Sequence, residues 1–166
     1  LPLVVYGDGA PDSGFVPSGY MGNVGAITMT LDGRDRPHQG ETCLAIDYSA
    51  GDAWGGVLWQ SPPDDWEGKL PGGLDLTGAT ALEFWARGAE GGETVNFLVG
   101  AIDRGTYRDS GKGELRDVRL TTEWTKYRIP LEGRDLSRIK TGFGWSLAGP
   151  GKGVRFFLDD IRYVKD

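Results

Sequence analysis

The chain has 166 residues and a formal net charge of −6, with a pI of about 4.8. A phosphate-binding surface needs the opposite sign and dense Lys/Arg runs, so no nucleic-acid partner is expected; no stretch nears the ~18–20 apolar residues of a membrane span, so no membrane partner is expected either. A single cysteine, Cys43, excludes an internal disulfide and a Cys-rich zinc cluster, and reads as a buried strand thiol.

In chain order, the first signal is an acidic turn, Gly7-Asp8-Gly9, followed by a glycine-rich loop, Pro17 to Gly22, that carries Tyr20. No basic stretch followed by an apolar one opens the chain, so no signal peptide is read in it. Ala26–Leu31 alternates, with Ile27, Met29 and Leu31 on one face. A turn at Asp32-Gly33 and a loop around Pro37-His38-Gln39 lead to Cys43–Tyr48, where Leu44, Ile46 and Tyr48 line one face. Trp54 follows the turn Gly51-Asp52; Trp59-Gln60 precedes Pro62-Pro63-Asp64-Asp65 and then Trp66. After Pro71-Gly72-Gly73, the run Ala81–Arg87 sets Leu82, Phe84 and Ala86 against Glu83, Trp85 and Arg87. The same period recurs at Val95, Phe97 and Val99, at Tyr127, Ile129 and Leu131, and at Phe143, Trp145 and Leu147. Asp103 to Tyr107 is a polar loop, Asp135–Ile139 has room for one helical turn, and a last strand runs from Val154 to Val164. Period-2 alternation broken by Gly, Pro and Asp turns predicts an all-β sandwich or barrel, residues 1–166 forming one domain without linker or repeat.

Catalysis finds little to work with. Glycoside hydrolysis uses two carboxylates about 5–10 Å apart across a cleft. The doublets Asp64-Asp65 and Asp159-Asp160 are adjacent, and adjacent strand residues point to opposite faces. The only histidine, His38, has no nucleophile elbow to serve and reads as a structural loop residue. No phosphate- or dinucleotide-binding glycine loop leads into a helix. The chain is therefore expected not to be an enzyme.

One carboxylate needs a partner. By parity, Phe157, Asp159, Ile161 and Tyr163 share a face of the last strand, which would turn Asp159 into the core. A lone buried carboxylate is costly unless it is paired or binds a metal. Two solutions stay open: an ion pair with Arg or Lys, or a calcium site tying the strand to Asp8 and Glu41 near the start of the chain.

The strand FFLDDIRY (156–163) resembles the closing strand of calcium-containing jelly-roll carbohydrate-binding modules. DLTGATALEFWARG (75–88) is similar to their central strand and lead-in, LTTEWTKYRIPL (120–131) to their Trp-then-strand element, and PHQG (37–40) to a turn before a strand. The resemblance implies a jelly-roll β-sandwich of two antiparallel sheets. It also implies a structural Ca2+ on Asp8, Glu41 and Asp159, a structural role for Trp124, and a secreted, extracellular protein in which the module is covalently linked to a polysaccharide-degrading catalytic domain.

Sugar rings lay apolar C–H faces on aromatic side chains and hydrogen-bond planar polar groups, so a glycan site needs exposed aromatics near acids and amides. Phe84, Phe97, Tyr127, Phe143 and Trp145 lie on apolar faces and are assigned to the core. Tyr20, Trp54, Trp66 and Tyr107 lie in polar, glycine-rich loops and are assigned to the site, with Trp59, Gln60, Asp65, Trp85 and Asp103 as further contacts. The segment Trp54 to Trp66 is its expected centre. The function expected is non-catalytic binding of a polysaccharide, a β-glucan or related plant or algal glycan. The alternatives are a small jelly-roll hydrolase or lyase, and a structural or adhesive surface domain.

Overall fold

Eleven strands realise the alternation in a computed structural model, which describes residues 1–8, 12–49 and 51–166. They are β1 (Leu3–Tyr6), β2 (Val16–Gly22), β3 (Ile27–Gly33), β4 (Cys43–Tyr48), β5 (Gly55–Gln60), β6 (Ala81–Gly88), β7 (Thr94–Val99), β8 (Gly113–Arg119), β9 (Thr125–Pro130), β10 (Thr141–Leu147) and β11 (Val154–Val164). A six-stranded sheet runs β3-β4-β11-β6-β9, with β1 also paired to β11; a five-stranded sheet runs β2-β5-β10-β7-β8. All pairings are antiparallel, as expected for the jelly-roll sandwich.

The sheets meet through the inward rungs. Leu44, Ile46, Phe84, Phe156 and Leu158 of the larger sheet face Val57, Phe97, Phe143 and Trp145 of the smaller, all fully buried. Phe84 sits 4.6 Å from Phe97 and 5.4 Å from Phe143 between ring centroids, so the predicted aromatic core is the contact between the layers. Tyr127 packs against it from a half-buried position.

Three local expectations are corrected. Asp135–Ile139 makes no helical turn: Asp135 Oδ1 accepts the Ser137 backbone N–H and hydroxyl, an Asx-type turn that competes with helix. Among the described residues the one helical element is a 3-10 turn, Val24–Ala26. Leu31 does not share the buried face of Ile27, because the β3–β4 register slips between Thr30 and Gly33 and leaves Leu31 exposed.

The third correction concerns β11. Phe156 and Leu158 point into the core, and so do Ile161 and Tyr163. The inward parity thus switches within one strand. It does so because the β11–β6 register slips between Asp159 and Arg162, with Asp160 at a left-handed φ of 49°. Beyond the slip, β1 replaces β4 as the neighbour of β11. Phe157 and Asp159 consequently face outward, away from the inter-sheet core.

Candidate functional site

The outer face of the five-stranded sheet is floored by small residues. One rung is Gly19, Leu58, Gly144, Leu98 and Glu114; the next toward the chain's Trp54 end is Met21, Gly56, Ser146 and Asn96. A Cβ on Gly144 would fall 2.6 Å from Leu58 and 3.2 Å from Leu98, so these two leucines lean together over the glycine. Asn96 Nδ2 donates to Ser146 Oγ at 3.3 Å, and Asn96 Oδ1 accepts the Asp117 N–H at 2.8 Å, which fixes the amide on the face.

Two exposed tryptophans flank β5 along the chain. Trp54, 51% exposed, immediately precedes β5; Trp66, 37% exposed, lies in the loop that follows it. Trp54 is held by its carbonyl, which accepts the Asn23 N–H at 2.8 Å. Gly22, at φ 68°, makes room for it: a Cβ there would lie 2.2 Å from the Trp54 carbonyl oxygen and 3.0 Å from the indole.

Trp66 rides on an anchored loop. Its neighbour Asp65 is buried, forms an ion pair with the buried Lys140 ammonium, and accepts the Lys69 and Leu70 N–H groups at 2.9 and 3.1 Å. The Lys140 hydrogen bond holds the Asp65 carboxyl below its usual range. The Gly68 carbonyl accepts the Tyr107 N–H at 2.8 Å, and Arg104 bridges Asp103 at 3.6 Å and Glu67 at 3.8 Å. Trp66, Asp103 and Tyr107 therefore belong to one loop pair at this end.

The structure places the other expected contacts as follows, and the burial of Trp59, Gln60 and Asp65 corrects their expected exposure. Trp59 is 2% exposed and packs edge-on against Phe143 at 5.2 Å, because its parity on β5 is inward. Gln60 is buried, its Oε1 accepting the Ser18 hydroxyl at 2.9 Å and the Asp64 N–H at 3.2 Å. Asp65 is the anchor just described. Tyr20 pairs with Val57 on edge strand β2 and is 39% exposed. Trp85 does share an outward face with Glu83 and Arg87, but that face belongs to the six-stranded sheet.

That opposite face is closed by the loop between β3 and β4. His38 stacks on Trp85 at 3.8 Å and 18°, and Trp124 donates its indole N–H to the Arg36 carbonyl at 2.7 Å. The Arg87 guanidinium lies 3.8 Å over the Phe157 ring and donates to the Asp35 carbonyl. Two carboxylates fasten the loop's far end. Asp159 Oδ2 accepts the His38 and Gln39 N–H groups at 3.0 Å each, and its Oδ1 accepts the Asp160 N–H at 2.8 Å. Asp8 takes the Glu41 N–H and the Thr42 N–H and hydroxyl.

These contacts satisfy the buried carboxylate with backbone N–H groups rather than an ion pair among the described residues. Both oxygens of Asp8 and of Asp159 receive N–H donors, which present positive ends where a cation would sit, and Glu41 contributes its N–H while its side chain stays exposed. Among the described residues no three acidic, histidine or cysteine side chains gather as a metal site. Gly9, in the predicted acidic turn, lies outside the described residues. Adding EDTA is expected to leave the melting temperature unchanged in a thermal melt, whereas a drop of several degrees would restore the metal.

The carboxylates also set the acid response. Hydrogen bonds to the charged form hold Asp8, Asp65, Asp75 and Asp135 below their usual range, led by Glu41 N–H, Lys140, Thr77 and Ser137 respectively. Folded pKa values below unfolded ones contribute stability above about pH 4 that is lost as pH falls through the folded values. Asp159 opposes them, since burial pushes its carboxyl up and the native state takes that proton more readily than the unfolded chain. With four groups against one, melting temperature should fall between pH 5 and 2. A flat profile would show that these bonds persist in the unfolded chain.

Comparisons with known proteins bear on this geometry. A family model described as carbohydrate binding domain 30 matches residues 6–165. A family 30 carbohydrate-binding module of a cellulosomal cellulase of Clostridium thermocellum superposes with a TM-score of 0.69 at 19% identity, over 100% of this chain and 98% of that one. A family 11 module from the same organism, in complex with a β-1,3-1,4-mixed-linked tetrasaccharide, gives 0.60 at 14% identity over 89% and 88% of the two chains. A family 29 module variant complexed with mannohexaose gives 0.58 at 16% over 98% and 90%. At such identities the likeness shows the shared fold. No curated protein matches the sequence significantly.

Proposed function

This chain belongs to the carbohydrate-binding domain 30 family and is a non-catalytic carbohydrate-binding module, and we propose that it binds a β-glucan chain along the outer face of the five-stranded sheet. The observation that carries the reading is the pair of exposed tryptophans, Trp54 and Trp66, in the loops before and after β5, a strand of that sheet. Indole faces stack on sugar C–H faces, and the fixed Asn96 and Ser146 groups between the strands offer partners to hydroxyls. The β-glucan assignment draws on the family 11 module's mixed-linkage ligand; a mannan, the ligand of the family 29 module, is the competing chemistry.

By the same reading the module is secreted and tethers a linked catalytic domain to its substrate, as the cellulase module of similar fold would. Electrophoresis through gels containing mixed-linkage β-glucan or mannan tests the ligand. Retardation by the glucan and not the mannan supports the assignment; retardation by mannan alone would reassign the ligand, and by neither would remove the reading.

A further inference from the structure

Beyond the outer face of the five-stranded sheet lies a cavity of about 790 Å³ at the Trp54 end of the sandwich. It opens to solvent between the loops that cross between the sheets there, including those joining β6 to β7 and β10 to β11. Its volume is that of an ordinary small-molecule site. Asn96 lines the cavity and also belongs to the outer-face rung with Ser146 and Gly56, so face and cavity are continuous. Gly149, on the cavity wall, packs against the Ala53 carbonyl next to Trp54, which places the tryptophan's loop at the mouth.

The chemistry of the wall points to a neutral, hydroxyl-rich ligand. Asp47 and Arg155 neutralise each other at 2.9 Å. That leaves Glu90, Glu93 and Asp117 against Arg119 and Lys152, close to balance and unsuited to a highly charged ligand. Among the described residues the exposed Arg119 guanidinium and Lys152 ammonium, both on the cavity wall, make no hydrogen bond or ion pair. Free donors around a cavity are what sugar hydroxyls satisfy.

We propose that this cavity is a terminal-unit pocket: the end of a neutral glycan chain lying past Trp54 turns into it, while internal units lie on the open face. The inference rests on the groove reading above. Two glycines on the wall allow it to be blocked without backbone strain. A Cβ on Gly25 would meet nothing within 4 Å, and one on Gly153 only the Tyr48 carbonyl at 3.9 Å; neither has positive φ.

The experiment compares wild type, Gly25→Phe, Gly153→Phe and Arg119→Met, each checked for an unchanged melting temperature. The ligands are the mixed-linkage tetrasaccharide, by calorimetry, and the long glucan, by gel retardation. The expected result is at least a tenfold loss of tetrasaccharide affinity in the blocked variants and a smaller loss for Arg119→Met, with retardation by the polymer kept. Unchanged tetrasaccharide affinity in folded, blocked variants would overturn the pocket; equal losses on both ligands would overturn its preference for chain ends. Failure of wild type to bind either glycan would remove the groove reading itself, and the pocket with it.

Discussion

Replacing Trp54 or Trp66 with alanine is expected to weaken glycan binding about 10- to 100-fold each, with melting temperature nearly unchanged. Tryptophan anchors at binding surfaces typically carry about 2 kcal/mol or more, and 1.4 kcal/mol is a factor of ten. Both rings are substantially exposed, so truncation removes little packing. The double variant should lose retardation in glucan gels. Trp85→Ala provides the contrast: its ring lies on the other sheet beneath His38, so it should leave affinity unchanged. Wild-type retardation in the double variant would place the ligand away from this face.

Lys140→Ala is expected to cost about 3–5 kcal/mol of folding stability, the range for removing one partner of a buried ion pair. The Lys140 side chain is 2% exposed, and its ammonium donates to Asp65 and to the Leu70 carbonyl at 2.7 Å. Removing it leaves the Asp65 carboxylate with two backbone donors and no counter-charge. Urea unfolding reads the change as a midpoint lowered by about 1 M or more. An unchanged midpoint would mean that water reaches the pair. Because the pair ties the Trp66 loop to the residue that starts β10's lead-in, the variant should also bind glycan more weakly at temperatures where it is folded.

The acid response, the EDTA result and these two variants separate groups that look alike along the chain. Asp64, Asp65, Asp159 and Asp160 are two similar doublets, yet Asp65 anchors a loop by charge and Asp159 holds another through backbone N–H groups. Likewise Trp54, Trp59 and Trp66 occupy thirteen residues, but the middle one faces the core. All six residues of β5 are buried, so alternation gave no signal there.

The sequence by itself determined the all-β class, the aromatic core at Phe84, Phe97, Phe143 and Trp145, the bounds of the last strand, and the two loop tryptophans that stay exposed. These follow from local facts: period-2 alternation, turn residues with special φ, and large aromatics in polar glycine-rich loops. The tertiary structure decided which face each group serves. A one-residue slip at Asp159–Asp160 turned a presumed core carboxylate outward. The meeting of β1 and β4 along β11 brought Asp8 and Asp159 to the far end of one loop. The pairing of sheets set Trp85 on the six-stranded sheet, whereas Trp54 and Trp66 flank a strand of the five-stranded one. Register and sheet membership depend on partners distant in sequence, so no reading of one strand's own residues contains them.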